Sequence, residues 1–239
     1  MNPLSGYPPL PRHHPSEEWL LGYAAGRLAP VPALVTTTHL PFCRQCRDTV
    51  RLAETIGGVL MADMPPDTLA EDALPRALAK LDQPAGTHTL QRPTLQSPAL
   101  QRPALQRNEA ELAPDVPLPA ALRGLRRSRW RWLAPGISRM TLDVPDADHS
   151  ERAYILRVSP GKRLPEHGHD GWEATCVLAG HFDVGGGTYQ AGDVLEISRS
   201  IVHQPVSGTD TTCICLIVSG GDVKPTGWLA RLLQPLMGR

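Results

Sequence analysis

The sequence GKRLPEHGHDGWEATCVLAG, residues 161–180, combines β-strand residues with three potential metal ligands. His167 and His169 stand two residues apart, so on a strand their side chains point to the same side. Glu173 can return on the next strand toward the same point. Imidazole and carboxylate donors form metal sites that tolerate an open coordination position. The sequence therefore predicts a metal centre inside a β framework.

The spacing of these two histidines, the glutamate and the flanking glycines resembles the first motif of the cupin family. The second cupin motif is partly present. Gly192 and His203 stand at the expected separation, but its usual proline, glycine and asparagine are replaced by Ser198, Ser200 and Ser207. The resemblance implies a jelly-roll barrel that binds zinc, or alternatively iron or manganese, through His167, His169, Glu173 and His203. A cupin that has lost its metal is the competing interpretation.

A second set of potential ligands, which includes sulfur, lies near the start of the chain in HLPFCRQC, residues 39–46. His39, Cys43 and Cys46 stand at i, i+4 and i+7, so they converge on one face of a helix or at a helix start. A fourth ligand must come from another segment, and His14 is the best candidate, followed by His13. Such a set closes a tetrahedral structural zinc site. The competing interpretation is two ordinary buried thiols beside surface histidines.

Composition limits the classes of protein that fit. The 239 residues, 41% of them hydrophobic, suit two small globular domains. Basic and acidic side chains number 24 each, so there is no general attraction to nucleic acid or to anionic membranes. The five cysteines are an odd number, which favours metal binding over a disulfide framework. No apolar stretch approaches the roughly 20 residues of a membrane helix, and no signal peptide pattern is present, so we predict a cytoplasmic protein.

A repeated pentapeptide separates two regions of different character. The repeat units are residues 89–93, 94–98, 99–103 and 104–108. Proline in the first three units removes a backbone donor and keeps the preceding residue out of the helical conformation. We therefore predict an extended, proline-rich linker over residues 83–119, between a helical domain at 1–82 and a cupin domain at 120–239.

The two regions differ in hydrophobic periodicity. Helical spacing before the linker predicts helices at 17–27, with Ser16 as a cap, and at 33–39, 42–61 and 74–81. So small a helical domain has little core, and a structural metal would supply much of its stability. After the linker, β-rich runs at 153–158, 174–178, 194–197 and 213–218 alternate with glycine-rich turns. The predicted fold class is multidomain α + β, a zinc-stapled helical bundle followed by an all-β barrel.

The HLPFCRQC sequence matches the His-x3-Cys-x2-Cys signature of the zinc-binding anti-sigma factors, and the flanking helix also resembles that family. With the cupin half included, the chain resembles the ChrR-type anti-sigma factors. The resemblance implies that zinc on His14, His39, Cys43 and Cys46 holds a bundle that grips an extracytoplasmic-function sigma factor and blocks its access to RNA polymerase. It also implies that the cupin domain releases the sigma factor under oxidative stress, such as singlet oxygen or organic hydroperoxide.

Two other functions compete with this one. A cupin with three histidines and a glutamate could hold iron or manganese and act as a dioxygenase or isomerase, with the helical domain as an accessory. The protein could also be a metal-buffering or dimerising module. We predict a regulator that is not an enzyme and makes no direct contact with nucleic acid or membrane.

Cys213 and Cys215 share one face of a predicted strand, where packing in the barrel wall is favoured over redox sensing. The basic and aromatic run RRSRWRW, residues 126–132, could suit single-stranded nucleic acid. A strand that enters the cupin domain, with its arginine heads in solvent, is the favoured interpretation.

Overall fold

The computed structural model describes residues 10–81, 111–113, 116–199, 201–221 and 223–225. The pentapeptide repeats, and with them most of the predicted linker, lie outside these ranges. Within the linker's last residues, two short strands pair as a ribbon, and Leu112 and Leu118 are buried in the core of the β region. Packed structure therefore begins before residue 120.

The four predicted helices are confirmed, with shifted ends: α1 Glu17–Ala24, α2 Pro30–His39, α3 Arg44–Ala62 and α4 Ala73–Leu81. Ser16 caps α1, since its Oγ accepts a hydrogen bond from Trp19 N at 3.4 Å. α1 ends before Gly26, whose φ of 66° is left-handed. α2 begins with Pro30, because the first helical turn tolerates the missing N–H.

The helical region has a small core of its own. Its buried members are Leu20, Cys43, Cys46 and Val50. α3 buries Val50 in this core, whereas Ile56, six residues further along the helix, is 53% exposed. No helix in the described ranges is long and apolar enough to cross a membrane.

The predicted all-β region is confirmed as a set of antiparallel sheets. Its strands are β1 Glu111–Ala113, β2 Val116–Pro117, β3 Arg126–Arg127, β4 Arg131–Ala134, β5 Ile137–Asp143, β6 Glu151–Val158, β7 His167–His169, β8 Trp172–Ala179, β9 His181–Val184, β10 Gly187–Gln190, β11 Val194–Ile197, β12 Val206–Ser207, β13 Cys213–Gly220 and β14 Val223–Pro225. The main sheet has the order β11-β8-β13-β6-β5-β3, with β4 also paired to β5. Smaller sheets are β10-β9-β12, β14-β7 and the β1-β2 ribbon.

The central strands of the main sheet are buried on both faces. Along β13, Ile214, Leu216 and Val218 belong to one hydrophobic cluster, and the alternate residues Cys213, Cys215 and Ile217 belong to another. A strand covered on both sides reads as a continuous apolar run, which is why CICLIV lacks alternation. The second cluster includes Phe182 of β9, so it lies between the two larger sheets.

The first cluster is covered by the helical region. Val31, Leu34 and Val35 of α2 are buried in the same cluster as β6, β8 and β13. Two buried threonines of α2 bond back to its own carbonyls, Thr36 to Pro32 and Thr38 to Leu34, so their hydroxyls are satisfied in this apolar contact. Trp19 of α1 meets Trp172 of β8 edge-on at 5.6 Å. The helices and the barrel therefore share a hydrophobic core.

Two candidate metal centres

The predicted His/Cys ligands come together where the start of the chain meets the turn between α2 and α3. His39 is the last residue of α2, and Cys43 is the N-cap of α3. His14 Nδ1 lies 3.4 Å from Cys43 Sγ and 3.5 Å from Cys46 Sγ, and His39 Nε2 lies 3.3 Å from Cys46 Sγ. A tetrahedral zinc ion with bonds of about 2.0 Å to nitrogen and 2.3 Å to sulfur has ligand separations of about 3.3–3.8 Å. These four residues fit a tetrahedral metal site.

The electrostatics of this centre also fit a cation. Burial raises the pKa of Cys46 to about 12, and the neighbouring Cys43 thiol adds to the rise. Burial lowers the pKa of His39 despite its backbone hydrogen bond. Without a metal, the raised pKa favours the protonated thiol of Cys46. A bound metal ion would instead favour the thiolate, because a coordinating thiol is deprotonated. The N-terminus of α3 also favours a negative charge on the Cys43 sulfur, since Cys46 N donates to Cys43 Sγ at 3.4 Å.

His39 is oriented by the barrel. Its Nδ1 donates to the Gly192 carbonyl at 2.6 Å, which leaves Nε2 free to face the cysteines. His13, the second candidate for the fourth ligand, is turned away. Its ring packs against that of Tyr189 with centroids 4.2 Å apart and planes tilted by 31°, and its Nδ1 lies 3.4 Å from Asp193 Oδ2. The geometry thus places His14, and not His13, in the cluster.

The four predicted ligands of the barrel centre also converge. β7 carries His167 and His169, β8 carries Glu173, and His203 forms an isolated bridge with His167. His169 Nε2 lies 3.5 Å from Glu173 Oε2, and His203 Nε2 lies 3.7 Å from Glu173 Oε1. One ligand atom from each of the four residues lies within 4.8 Å of the others. The barrel thus presents three imidazoles and one carboxylate to one point.

The donor chemistry of the barrel centre fits a cation as well. Both ring nitrogens of His169 are buried and have no hydrogen-bond partner within the described ranges. Burial raises the pKa of Glu173 to about 8 and lowers the pKa values of His169 and His203 to about 4. His167 Nδ1 donates to the Pro165 carbonyl at 2.9 Å, so its Nε2 can serve as a ligand. A metal ion would satisfy these buried polar atoms together.

Two further features noted in the sequence, the cysteine pair and the basic and aromatic run, lie in the β region. Cys213 Sγ and Cys215 Sγ share a face, as predicted, and lie 3.5 Å apart in the second cluster. The basic and aromatic run forms β3, the following residues and the start of β4. Arg157 lies over the ring of Trp130 at 4.6 Å. Asp193 is fully buried beside the His/Cys centre but was not predicted as a site residue, because a single aspartate in a turn carries no distinctive spacing.

Comparisons with known proteins agree with this architecture. Residues 121–221 match the ChrR cupin-like domain. The anti-sigma-E factor ChrR of Cereibacter sphaeroides is 34% identical over 227 residues, which span 94% of this chain and 97% of the relative. That relative is named as a regulatory protein, which agrees with the prediction that this chain is not an enzyme. In the crystal structure of Rhodobacter sphaeroides SigE in complex with the anti-sigma ChrR, one chain matches with a TM-score of 0.66 and 29% identity, covering 87% of this chain and 98% of that chain. The chain described here belongs to the ChrR family of anti-sigma factors.

Proposed function

We propose that this protein binds an extracytoplasmic-function sigma factor through the exposed faces of α3 and α4 and so inhibits it. The observation that carries the proposal is a large exposed apolar surface on the helical region. The relative ChrR is named as an anti-sigma factor, and a solved complex pairs ChrR with SigE. A protein that acts on a sigma factor works where RNA polymerase works, so we place it in the cytoplasm.

The sigma-binding face, as we define it, consists of large apolar side chains that are each more than half exposed: Leu52, Ile56, Val59, Leu60 and Met61 of α3 and Leu74, Leu78 and Leu81 of α4. Leu52, Ile56 and Val59 stand at i, i+4 and i+7, so they form one stripe. The three leucines of α4 have the same spacing, and none of the residues of α4 is buried. Amphipathic helices use such stripes to bind apolar grooves of a partner.

This face is separate from the core of the helical region. Val50 lies buried toward α1, whereas Leu52 and Ile56 point away from that core. Exposed apolar surface of this extent marks a protein interface more often than a free surface. An overall charge on the chain does not offer another explanation for partner binding, because the formal net charge is zero.

We infer that zinc is the metal of the His/Cys centre, because two thiolates and two imidazoles in a closed tetrahedron suit zinc. The ion would tie α2 and α3 to the start of the chain and thereby hold the sigma-binding face in position. At the barrel centre we also favour zinc, with iron and manganese as alternatives for an imidazole and carboxylate set. We propose that oxidative stress, such as singlet oxygen or organic hydroperoxide, acts through this centre to release the sigma factor.

The substitution Ile56→Asp tests the binding face. A charge in the middle of the stripe should weaken binding of an extracytoplasmic-function sigma factor from the same organism by about 100-fold or more, as expected for a central interface residue. Gly58→Asp is the matched control, because it places the same charge on an exposed residue of α3 with open space for a side chain, about 200° round the helix from Ile56. The dissociation constant is measured by calorimetry with the full chain. Equal affinities for the two variants would refute this surface, and no binding by the wild type would refute the function.

A further inference from the structure

The residues before α1 are fastened to the turn between β10 and β11. Residues 10–16 are called the strap here, and residues 190–194 the barrel turn. The Asp193 side chain is fully buried between them. Its Oδ1 accepts hydrogen bonds from Arg12 N at 2.6 Å and His13 N at 2.9 Å, and its Oδ2 accepts one from Gln190 N at 2.8 Å. One carboxylate therefore binds the strap and its own turn together.

Further bonds fix the strap on both sides of His14. Val194 N donates to the His13 carbonyl at 3.1 Å, and Ser16 N donates to Glu196 Oε1 at 2.7 Å. The backbone just before and just after the ligand is thus held by β11 and the turn that precedes it. The position of the His14 imidazole is set by the barrel as much as by the helices.

The barrel turn holds a second ligand directly. The Gly192 carbonyl accepts the Nδ1 proton of His39, as described above, from a backbone with φ of 93°. A Cβ atom on Gly192 would lie 2.8 Å from both Phe42 Cβ and Pro11 Cγ, closer than such atoms can approach. The turn therefore packs directly against the residues that flank the His/Cys centre, and a side chain would push it away.

We propose that the barrel turn is the outer support of the His/Cys metal centre, with Gly192 and Asp193 as positioning residues for His39 and His14. Docking of the barrel and retention of the metal are then linked. By reciprocity, docking of the barrel strengthens metal binding by the same free energy by which metal binding strengthens docking. The inference rests on the proposal that the four His and Cys side chains bind a metal.

The same turn is joined to the barrel centre by β8. Gly192 N donates to the Val177 carbonyl at 2.8 Å, and Val177 N donates to the Asp193 carbonyl at 3.0 Å. Glu173 lies four residues before Val177 on this strand, about 13 Å away at 3.3 Å per residue. Its partner across the ladder is Ile197 of β11. A shift of β8 at the barrel centre would therefore move the turn that supports the other centre.

The test is the substitution Gly192→Ala in the full-length protein loaded with cobalt(II). Thiolate-to-cobalt absorption reports only the His/Cys centre, since the barrel centre contains no cysteine ligand. We expect Gly192→Ala to lose this absorption to excess EDTA about 10- to 100-fold faster than the wild type, the usual effect of losing an outer support of a ligand. Hydrogen exchange at Arg12 and His13 should rise in the same variant.

The matched control is Gly186→Ala. Gly186 also has a positive φ, 82°, but a Cβ atom there would have open space within 4 Å. This control carries the backbone strain without the clash, so its cobalt should leave at the wild-type rate. A second variant, Asp193→Asn, keeps the shape of the side chain but replaces one acceptor oxygen with a donor. It should also release cobalt faster, whereas Asp183→Asn, at an exposed position of β9, should not.

Equal rates of cobalt loss from Gly192→Ala and Gly186→Ala, with the barrel folded in both, would overturn the inference and leave sigma binding untouched. If Gly192→Ala does not fold, a wild-type rate of cobalt loss from Asp193→Asn would overturn the inference instead. A wild-type protein without thiolate absorption would overturn the metal assignment and the inference together. Sigma affinity is measured separately, so failure of the proposed function remains distinguishable.

Discussion

The two candidate metal centres are built in opposite ways. The His/Cys centre draws its ligands from the strap, the end of α2 and the start of α3, three pieces without a common sheet. In the barrel centre, backbone hydrogen bonds join His167 and His203 in both directions, at 3.0 and 2.9 Å, and Glu173 is paired with a strand on each side, at Ile197 and Ser219. A metal ion in the first centre would hold these pieces together, whereas the second centre is already held by its backbone.

The hydrophobic cores around the two centres also differ in how far they depend on the metal ligands. Two of the four buried residues in the helical cluster are the ligands Cys43 and Cys46 themselves. The barrel clusters contain large aliphatic side chains that are independent of the ligands. Loss of metal should therefore unfold the helical region around the first centre and leave the second region folded.

The largest expected effect is that of Cys46→Ser. Structural zinc supplies about 10–16 kcal/mol in zinc-finger peptides, which is comparable to the whole stability of a typical domain. We expect α1 and the start of α3 to lose protection from hydrogen exchange, and sigma binding to be lost with it. EDTA treatment of the wild type should reproduce the result. Protection of α1 equal to that of the metal-loaded protein would contradict this account of the comparison.

A smaller effect is expected from Leu34→Ala, which tests how far the helical region depends on the barrel. Leu34 is buried between α2 and the main sheet, so its removal should cost about 2–5 kcal/mol in the free energy of unfolding, measured with urea. Leu60→Ala on exposed α3 is the control and should cost no more than about 0.5 kcal/mol. Equal costs would mean that α2 does not dock on the barrel in solution.

The smallest effect on stability is expected from His203→Ala. The barrel should keep its strands and lose about 1 kcal/mol, because the ladder hydrogen bonds remain. Metal analysis should show loss of the barrel metal alone, with the cobalt–thiolate absorption unchanged. The sigma complex of this variant should no longer be released by singlet oxygen.

The control for that variant is His181→Ala, which alters a half-buried histidine of β9 outside the metal cluster. It should retain both metals and normal release. Unfolding of the barrel in His203→Ala would show that the fold of the barrel also depends on its metal. Normal release in a protein that lacks the barrel metal would refute the proposed route of the signal.

The fold class and both ligand groups could be predicted because each is encoded by short spacings. His167, His169 and Glu173 are held by two strands that are consecutive in the chain, and Cys43 and Cys46 by one helical turn. The choice of His14 over His13 was harder, since both precede the same helix. It depends on Asp193 and Tyr189, which draw the His13 backbone and ring toward the barrel.

Helix and strand periodicity, ligand chemistry and the proline repeat are local properties, so the chain alone was enough to predict a helical region and a β region, each with a group of potential metal ligands. The docking of α2 on the sheet and the support of His39 by Gly192 could not be predicted in this way. The hydrogen bond between His39 and Gly192 joins residues 153 positions apart, and the hydrogen bonds between Asp193 and the strap join residues 180 or more positions apart. Such contacts form only when separately patterned surfaces meet, because burial and hydrogen-bond satisfaction are fixed by the partner surface and not by neighbours in the chain.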